Sequence, residues 1–578
     1  MTPQLCATES QQASEKKPAS RRSAILALLL GTATTLFVYG YQFGRGNHAV
    51  YLPDAIHRAD PSLLASDWFT TQTFQYHVVF STVASWLMRL GIIQPAFLIA
   101  YLLLVVLFHV ALRGIVRDLE GGDGAYLLCV TLYYFSAAGT GLGMYQFFQD
   151  SSLLPSNIAN VAMLWAIYFW VTGRSTASGC CFGIAAAFHL NFAVVGIGVW
   201  LALNIWRSRS LPWKGTVLAI VPGAVNIVFG LQEKLSREGS MPLEEFVKLY
   251  VRFRHPHHYD PSSWPIGIWI AFAWTIAPAL LVLRGRPRRV VTAFLAILCV
   301  PLVWAGIWFK SETLIQMSLY RFSIFPQLLG CAAAAVWICR LPGRQELATL
   351  LGWTGCILII IVSLIGGPYF GMFKMPKDDA NYISLCQWVS QNTPADAIFL
   401  VPPDEESMRL VGRRAIVVNF KAVPQLSGEL PEWNRRMCDV LDLNNLYDDL
   451  PRGYTQTLSA IKVRYALLSP EQLLATARKY RARFIVTGRT MSRYDEAIVY
   501  SDASQRWFVY DLGRGRSASA ESLGTAAGEV RAARSEGDGG VSAEAAADGR
   551  VGHIEPDDPG DRRSRADGSS SAAPAPGG

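Results

Sequence analysis

The chain has 578 residues, of which 51% are hydrophobic and only 17% charged, with a formal net charge of +8. A soluble globular protein carries about 25% charged residues, so an ordinary soluble enzyme is excluded. The positive balance needs no nucleic-acid partner, because the basic residues gather at the edges of apolar blocks, where membrane topology places them.

Lys16, Lys17, Arg21 and Arg22 precede "SAILALLLGTATTLFVYGYQF". This run is longer than a signal-peptide core and no small-x-small cleavage site follows, so it reads as a first span at 23–43, with residues 1–22 cytoplasmic. A membrane crossing needs roughly 20 apolar residues. Such blocks recur at 93–115, 124–143, 157–172, 215–232, 264–283, 290–308, 319–339 and 346–366. The stretch 177–206 adds one or two more. Basic clusters at Arg113/Arg117, Arg174, Arg207/Arg209/Lys214, "RGRPRR" (284–289) and Arg340/Arg344 are all cytoplasmic if 177–206 crosses twice, as two short helices meeting near "FHLNF". The alternative is one crossing there and a further span at 74–90. In 74–90, Tyr76, Val79, Phe80, Val83, Trp86, Leu87 and Leu90 recur every three or four positions, with Gln75, His77, Ser81, Thr82, Ser85 and Arg89 on the other face. That pattern suits a helix lying in the membrane interface, so two crossings in 177–206 are preferred. The fold class is a multi-pass α-helical membrane protein with about eleven transmembrane helices over 23–366. Its exoplasmic loops are 44–92 and 233–263. Both topologies put 44–73, and everything after 366, outside the cytoplasm.

The first of these loops contains "YLPDAIHRADPSLLASDWF". "GYQFGRGNHAVYLP", which overlaps its start, is punctuated by Gly, Asn and Pro and reads as turns. Asp60-Pro61 looks like an N-cap with proline in the first helical turn, opening a short helix to Trp68 with Asp67 near its end.

After 375 the chain becomes polar, with short apolar runs between helical patterns. "DDANYISLCQWVSQNTP" and "PEQLLATARKYRA" read as helices; "AIFLVPP", "AIVVNF", "RFIVTG", "IVYS" and "RWFVYDL" read as strands. This alternation predicts a small exoplasmic α/β domain over 376–512, without the glycine motifs of nucleotide binding. Residues 513–578 are Gly, Ala, Ser, Asp, Glu and Arg with almost no aromatics, a composition that stays disordered. Cys386 and Cys438 share the exoplasmic domain, where a disulfide and two buried thiols are equally compatible with the sequence.

Four groups of residues carry possible chemistry. Asp54, Asp60 and Asp67, with His57, offer carboxylates that can take a proton from an acceptor hydroxyl or coordinate a divalent metal; capping and surface charge are the competing readings for Asp60 and Asp67. "RFRHPHHYDPSSWP" offers Arg254, His257 and His258 for phosphate recognition; its H-x-H-H spacing fits no standard zinc site, and a solvated loop is the alternative. Arg321 lies at the outer end of a span, where an ionisable residue is either functional or snorkelling. "FFQDSSLLPSN" brings Asp150 and Asn157 to a span start, and "FHLNF" brings His189 and Asn191 to a helix break, where ligand binding and buried hydrogen bonding compete.

"YLPDAIHRADPSLLASDWF", "LPSNIANVAMLWAIYFW", "AAAFHLNF" and "WVSQNTPADAIFLVPP" look like segments of uncharacterised bacterial membrane proteins related to the GT-C class of membrane glycosyltransferases. The layout over roughly 23–512 resembles that class: about eleven spans, a large first exoplasmic loop and a trailing α/β domain. The paired Asp-Asp or Asp-Glu of many members is absent, and the acids are spread as Asp54, Asp60 and Asp67. The resemblance implies transfer of a sugar from a polyprenyl-phosphate donor to an exoplasmic glycan, lipid or protein, in a bacterial inner membrane. Asp54 would then serve as base or metal holder, and Arg254, His257 and Arg321 would neutralise the departing phosphate. The partners implied are the lipid-linked sugar and the bilayer, with no nucleic acid. A transporter or lipid flippase, or a non-catalytic scaffold, are the alternatives.

Overall fold

The computed structural model describes residues 21–208, 211–236, 239, 241–303, 310–366 and 379–513. The amino-terminal segment before Arg21 and the tail beyond Gly513, expected to be cytoplasmic and disordered respectively, lie outside the described residues.

A helix lies on each apolar block. Five are long and apolar enough to cross a membrane: Arg21–Tyr39, Ile93–Asp118, Trp213–Ser236, Glu312–Arg340 and Gln345–Ile365. The elements Leu142–Ser151 and Pro155–Val171 form a sixth candidate bent by 107°. Shorter apolar helices include Ser175–Phe188 and Ile266–Leu281. The stretch 177–206 breaks at His189, as "FHLNF" predicted: Ser175–Phe188 ends there and Leu190–Ser208 begins. Large apolar side chains face outward along these helices. Val225 is 66% exposed, Leu350 57% and Ile365 80%. Such a surface is unfavourable in water and ordinary in lipid.

The helix Val78–Arg89 follows the same rule. It packs Phe80, Ser81, Ala84 and Ser85 inward and leaves Val79, Val83 and Trp86 outward. The inward face joins Phe80 to small and polar side chains, and the outward face is apolar, as on the longer helices.

Three local expectations are corrected. The end of the expected turn segment, residues 48–53, is helical and opens a helix that runs to Ala59. Ala49, Leu52, Ala55 and Ile56 recur at helical spacing and all are buried, so packing of that face overrides the proline at position 53. Asp60 does not open a helix but ends this one, and its carboxylate bonds the backbone and hydroxyl of Ser62. Asp67 is the N-cap of a new short helix, Trp68–Gln72, accepting from the Thr70 N–H at 2.9 Å. The block 124–143 also stops early. Its helix, Asp123–Phe135, gives way to turns with left-handed backbone at Ala137, Gly143, Met144, Asp150 and Ser151.

The carboxy-terminal region builds a five-stranded sheet from β1 (Ile398–Leu400), β2 (Ala415–Ile416), β3 (Phe484–Thr487), β4 (Ile498–Ser501) and β5 (Phe508–Asp511), in the order β2-β1-β3-β5-β4. β1 pairs parallel with β2 and β3, and β5 runs antiparallel to β3 and β4. "AIVVNF" gives only a two-residue strand, because its chain leaves the sheet to reach the helical region. The helices Leu430–Leu441 and Tyr454–Leu467 were not anticipated. Cys386 and Cys438 are buried and are not joined to each other.

The two regions share one core. Their firmest polar joint is Asp67 with Arg409, 2.8 Å apart and almost fully buried. The same carboxylate oxygen accepts the Ile416 N–H at the edge strand. Glu429 likewise accepts the Phe74 N–H at 2.8 Å.

Candidate functional site

Where the helical region meets the sheet, a chamber of about 320 Å³ opens. It gathers residues from distant parts of the sequence. Ser156 and Arg321 come from the ends of apolar helices and His189 and Asn191 from the helix break. Arg254, His257 and His258 come from the 247–259 segment, and Lys421 from the carboxy-terminal region.

Asp150 is its only lining acid among the described residues. Two contacts fix it, and a third holds the residues beside it. The Asn47 N–H donates to Oδ2 at 2.8 Å, at the start of the helix His48–Ala59, where the helix dipole favours a carboxylate. Gln42 donates to the Asp150 carbonyl at 2.6 Å. Asn157, fully buried, ties down the adjoining loop by donating to the carbonyls of Gln149 and Ser152. Gly46 is required here: its φ is +59°, and a Cβ would stand 2.7 Å from the Asp150 carboxylate.

Arg321 lies over the Tyr145 ring at 4.4 Å, and His258 stacks parallel on the same ring at 4.5 Å. The Arg321 Nε is buried without a hydrogen-bond partner, and so is Nδ1 of His257. Buried donors of this kind are what a ligand satisfies. His258 donates Nδ1–H to the Gly143 carbonyl at 2.7 Å, leaving Nε2 as the unprotonated nitrogen of a neutral ring. Gly143, at φ +69°, permits this close approach, since a Cβ would meet the His258 carbonyl at 2.8 Å.

Arg254 acts differently from the sequence expectation. It is buried, and its Nε and Nη2 donate to the carbonyls of Phe420 and Lys421 at 2.9 and 3.1 Å. It therefore clamps the segment that carries Lys421. Asn419 completes that clamp: its side chain donates to Pro403 and Glu405 carbonyls and accepts from the Lys421 and Ala422 N–H groups. Lys421 pairs with Glu406 at 3.2 Å. Burial opposes its charge, but Glu406 and Asp150 outweigh burial and raise its pKa above the ordinary value. The histidines go the other way. Burial, reinforced by Arg254, lowers His257 to about 4. Burial also pushes His255 and His258 well below the imidazole range, with their histidine neighbours and Arg254 adding to it. At neutral pH the fixed charges are thus three cations against Asp150, with Glu406 behind Lys421.

The expected first-loop acids lie outside the chamber. Asp54 is buried against Arg58 at 2.8 Å. Asp60 holds Ser62, and Asp67 holds Arg409. His57 donates Nδ1–H to the Leu63 carbonyl at 2.8 Å. The same loop still contributes to the lining, through Asn47, Tyr51 and Tyr76. Arg254, His257, His258 and Arg321 are brought together, and Asp150, His189 and Asn191 join them. Lys421 was missed. Its signal was its position just beyond the buried run "AIVVNF", at the carboxyl end of a parallel strand, where α/β sheets present ligand-binding loops.

The donor set does not fit a divalent metal, because Arg254, Arg321 and Lys421 surround a single carboxylate. Among the described residues, no three His, Cys, Asp or Glu side chains are grouped to hold one.

Residues 380–440 match a domain of unknown function (DUF6798). The matched stretch runs from the helix Ala380–Asn392 through β1, β2 and Lys421 to the helix Leu430–Leu441. No curated protein matches the chain.

Proposed function

We propose that the chamber is the active site of a membrane glycosyltransferase of GT-C type, moving a sugar from a polyprenyl-phosphate donor to an exoplasmic acceptor. The observation that carries this reading is the convergence of Arg321, with its orphaned Nε, Lys421 and Asp150 on one chamber at the ends of lipid-compatible helices. The shorter apolar helices complete about eleven crossings of a bacterial inner membrane. The basic helix ends at Arg113, Arg284 and Arg340 then face the cytoplasm and the sheet region faces outward.

In this mechanism the donor's lipid chain lies along the apolar helices and its phosphate enters the chamber. Asp150, rather than Asp54, takes the acceptor hydroxyl proton. The acceptor oxygen bonds to the sugar's anomeric carbon as the bond from that carbon to the phosphate oxygen breaks. The electron pair leaves on the phosphate, and Arg321 and Lys421 stabilise the charge that develops there. Arg254 positions Lys421.

The test is a mass-spectrometric profile of surface glycans and lipid-linked sugars in host cells. Deletion, Asp150→Asn and Arg321→Gln should lose the same sugar while unused donor accumulates, with transfer falling by about 10²–10⁴ for Asp150→Asn. Asp54→Asn should keep the sugar. If deletion and Asp150→Asn both match the wild type, the glycosyltransferase reading fails and transport or scaffolding takes its place.

A further inference from the structure

A second basic cavity lies at the far ends of the same helices. Pro155–Val171 and Ile324–Arg340 start at the chamber, which Ser156 and Arg321 line, and finish at a cavity of about 390 Å³ lined by Val171 and Arg340. Seventeen-residue helices are about 25 Å long at 1.5 Å per residue, close to the roughly 30 Å of a hydrocarbon core. The two cavities therefore stand on opposite sides of one membrane thickness.

This far cavity has a charged rim and an apolar floor. Arg284, Arg286 and Arg340 form the rim with Asp118 and Glu120, and Leu283 and Val336 belong to the floor. Arg340 is already bound, to Glu120 at 2.9 Å and to the Leu119 carbonyl at 2.6 Å. Arg286 and Arg284 are not paired with acids among the described residues. Arg286 donates Nη1 to the Val171 carbonyl at 2.9 Å, and Arg284 reaches only its neighbour's carbonyl, at 3.4 Å. The place of Arg286 is built into the backbone: Gly173 has φ +85°, and a Cβ there would sit 2.7 Å from Nη1. Only glycine both adopts that turn and leaves room for the guanidinium.

We propose that this cavity binds a phosphate ester, with Arg284 and Arg286 on the phosphate oxygens. Arginine suits this task because its planar fork matches phosphate geometry. The apolar floor beside it favours a membrane phospholipid headgroup over a small soluble phosphate, as in basic pockets between membrane helices. The site is independent of the chamber and of any reaction there.

The test uses the full chain in detergent, with binding followed by microscale thermophoresis. The probes are dihexanoyl phosphatidylglycerol, dihexanoyl phosphatidylcholine and inorganic phosphate. Phosphatidylglycerol should bind best, and the double variant Arg284→Gln/Arg286→Gln should weaken it by on the order of tenfold or more. Arg288→Gln/Arg289→Gln removes the same charge from the neighbouring turn, outside the cavity, and should leave binding nearly unchanged. Gly173→Ala alters no charge yet should weaken binding by displacing Arg286, and Arg284→Lys/Arg286→Lys covers the case in which the glutamine pair misfolds, with partial loss expected. Equal affinity for inorganic phosphate and phosphatidylglycerol, both lost in the glutamine pair, would assign the site to a soluble phosphate. Equal losses in the cavity pair and the control pair would reduce the effect to bulk charge and overturn the site, as would no binding of any probe.

Discussion

The helices Val78–Arg89 and Leu430–Leu441 have the same length and are both amphipathic, yet they bury opposite faces. The first turns Phe80, Ser81, Ala84 and Ser85 inward and Val83 and Trp86 outward. The second buries Leu430, Trp433, Met437 and Leu441 and keeps Glu432 and Arg435 at the surface. Hydrophobic burial drives the second, because its outer face meets water. The outward apolar face of the first is one that suits lipid, and its inward face joins Phe80 to small and polar side chains of the kind that let helices approach closely. The helix ends follow this contrast in part. Side-chain N-caps occur at Asp67, Asp379, Asn445 and Ser469, on elements of the first loop and the sheet region, and at Ser311, which opens the apolar stretch Glu312–Arg340, whereas Leu430–Leu441 has none. The apolar helices starting at Ile93, Pro155, Ile266 and Gln345 have none.

The largest effects should fall where this contrast is strongest. Trp433 is fully buried and donates to the Asn419 carbonyl at 3.1 Å. Trp433→Ala should cost about 3–5 kcal/mol of apparent unfolding free energy for the full chain in detergent. Trp86, 59% exposed, should change it by no more than about 0.5 kcal/mol when replaced by Ala. A large loss at Trp86 would mean that its face is covered by protein and would break the comparison. Arg409→Met should also cost about 3–5 kcal/mol, because it leaves the Asp67 carboxylate buried without its cation at the joint between the regions.

A smaller effect tests the water-facing side alone. Ser469 and Gln472 form a reciprocal capping box at the helix Pro470–Lys479. Ser469→Ala should cost about 1 kcal/mol, read as a shift of the denaturation midpoint at unchanged slope. No shift at all would show that this end does not limit stability.

What could be read from the sequence follows the range of the interactions. The apolar blocks, the break at "FHLNF", the amphipathic helix over 78–89 and most of the strands depend on local periodicity, and periodicity is visible in a single chain. The helix 48–59 was hidden by its own proline and by the glycines before it. The use of Asp67 was hidden for another reason: its partner Arg409 lies 342 positions away. The chamber was half visible. Arg254, His257, His258 and Arg321 were singled out by type and place, but only the fold adds Lys421 and shows Arg254 holding backbone carbonyls. Asp54 looked the better base because it sits in the most acidic stretch. Its neighbour Arg58, one helical turn on, takes it out of the chamber.

The smallest effect probes the chamber, where the two surroundings meet. His257 is held at about 4, first by burial and then by Arg254, with the His258 ring tilted against it at 4.1 Å. The folded pKa is thus below the value of about 6.5 in an unfolded chain. As pH falls, the unfolded chain takes up the proton first. The stability contribution is therefore complete above about pH 6.5, is lost between about 6.5 and 4, and is constant below. His255 and His258, lowered by burial in the same place, add to the same slope. The apparent melting temperature of the full chain should then fall as pH drops through this window, and His257→Gln should make the fall shallower while leaving the plateau above pH 7 nearly unchanged. Carboxylates contribute to acid unfolding in both proteins, so the difference between the two curves isolates His257. Parallel curves would mean that water reaches the ring and that the chamber belongs to the aqueous side, as the surface of the helix Leu430–Leu441 does. Diverging curves would place it on the dry side, where a low dielectric strengthens whatever hydrogen bonds and ion pairs Arg321 and Lys421 make.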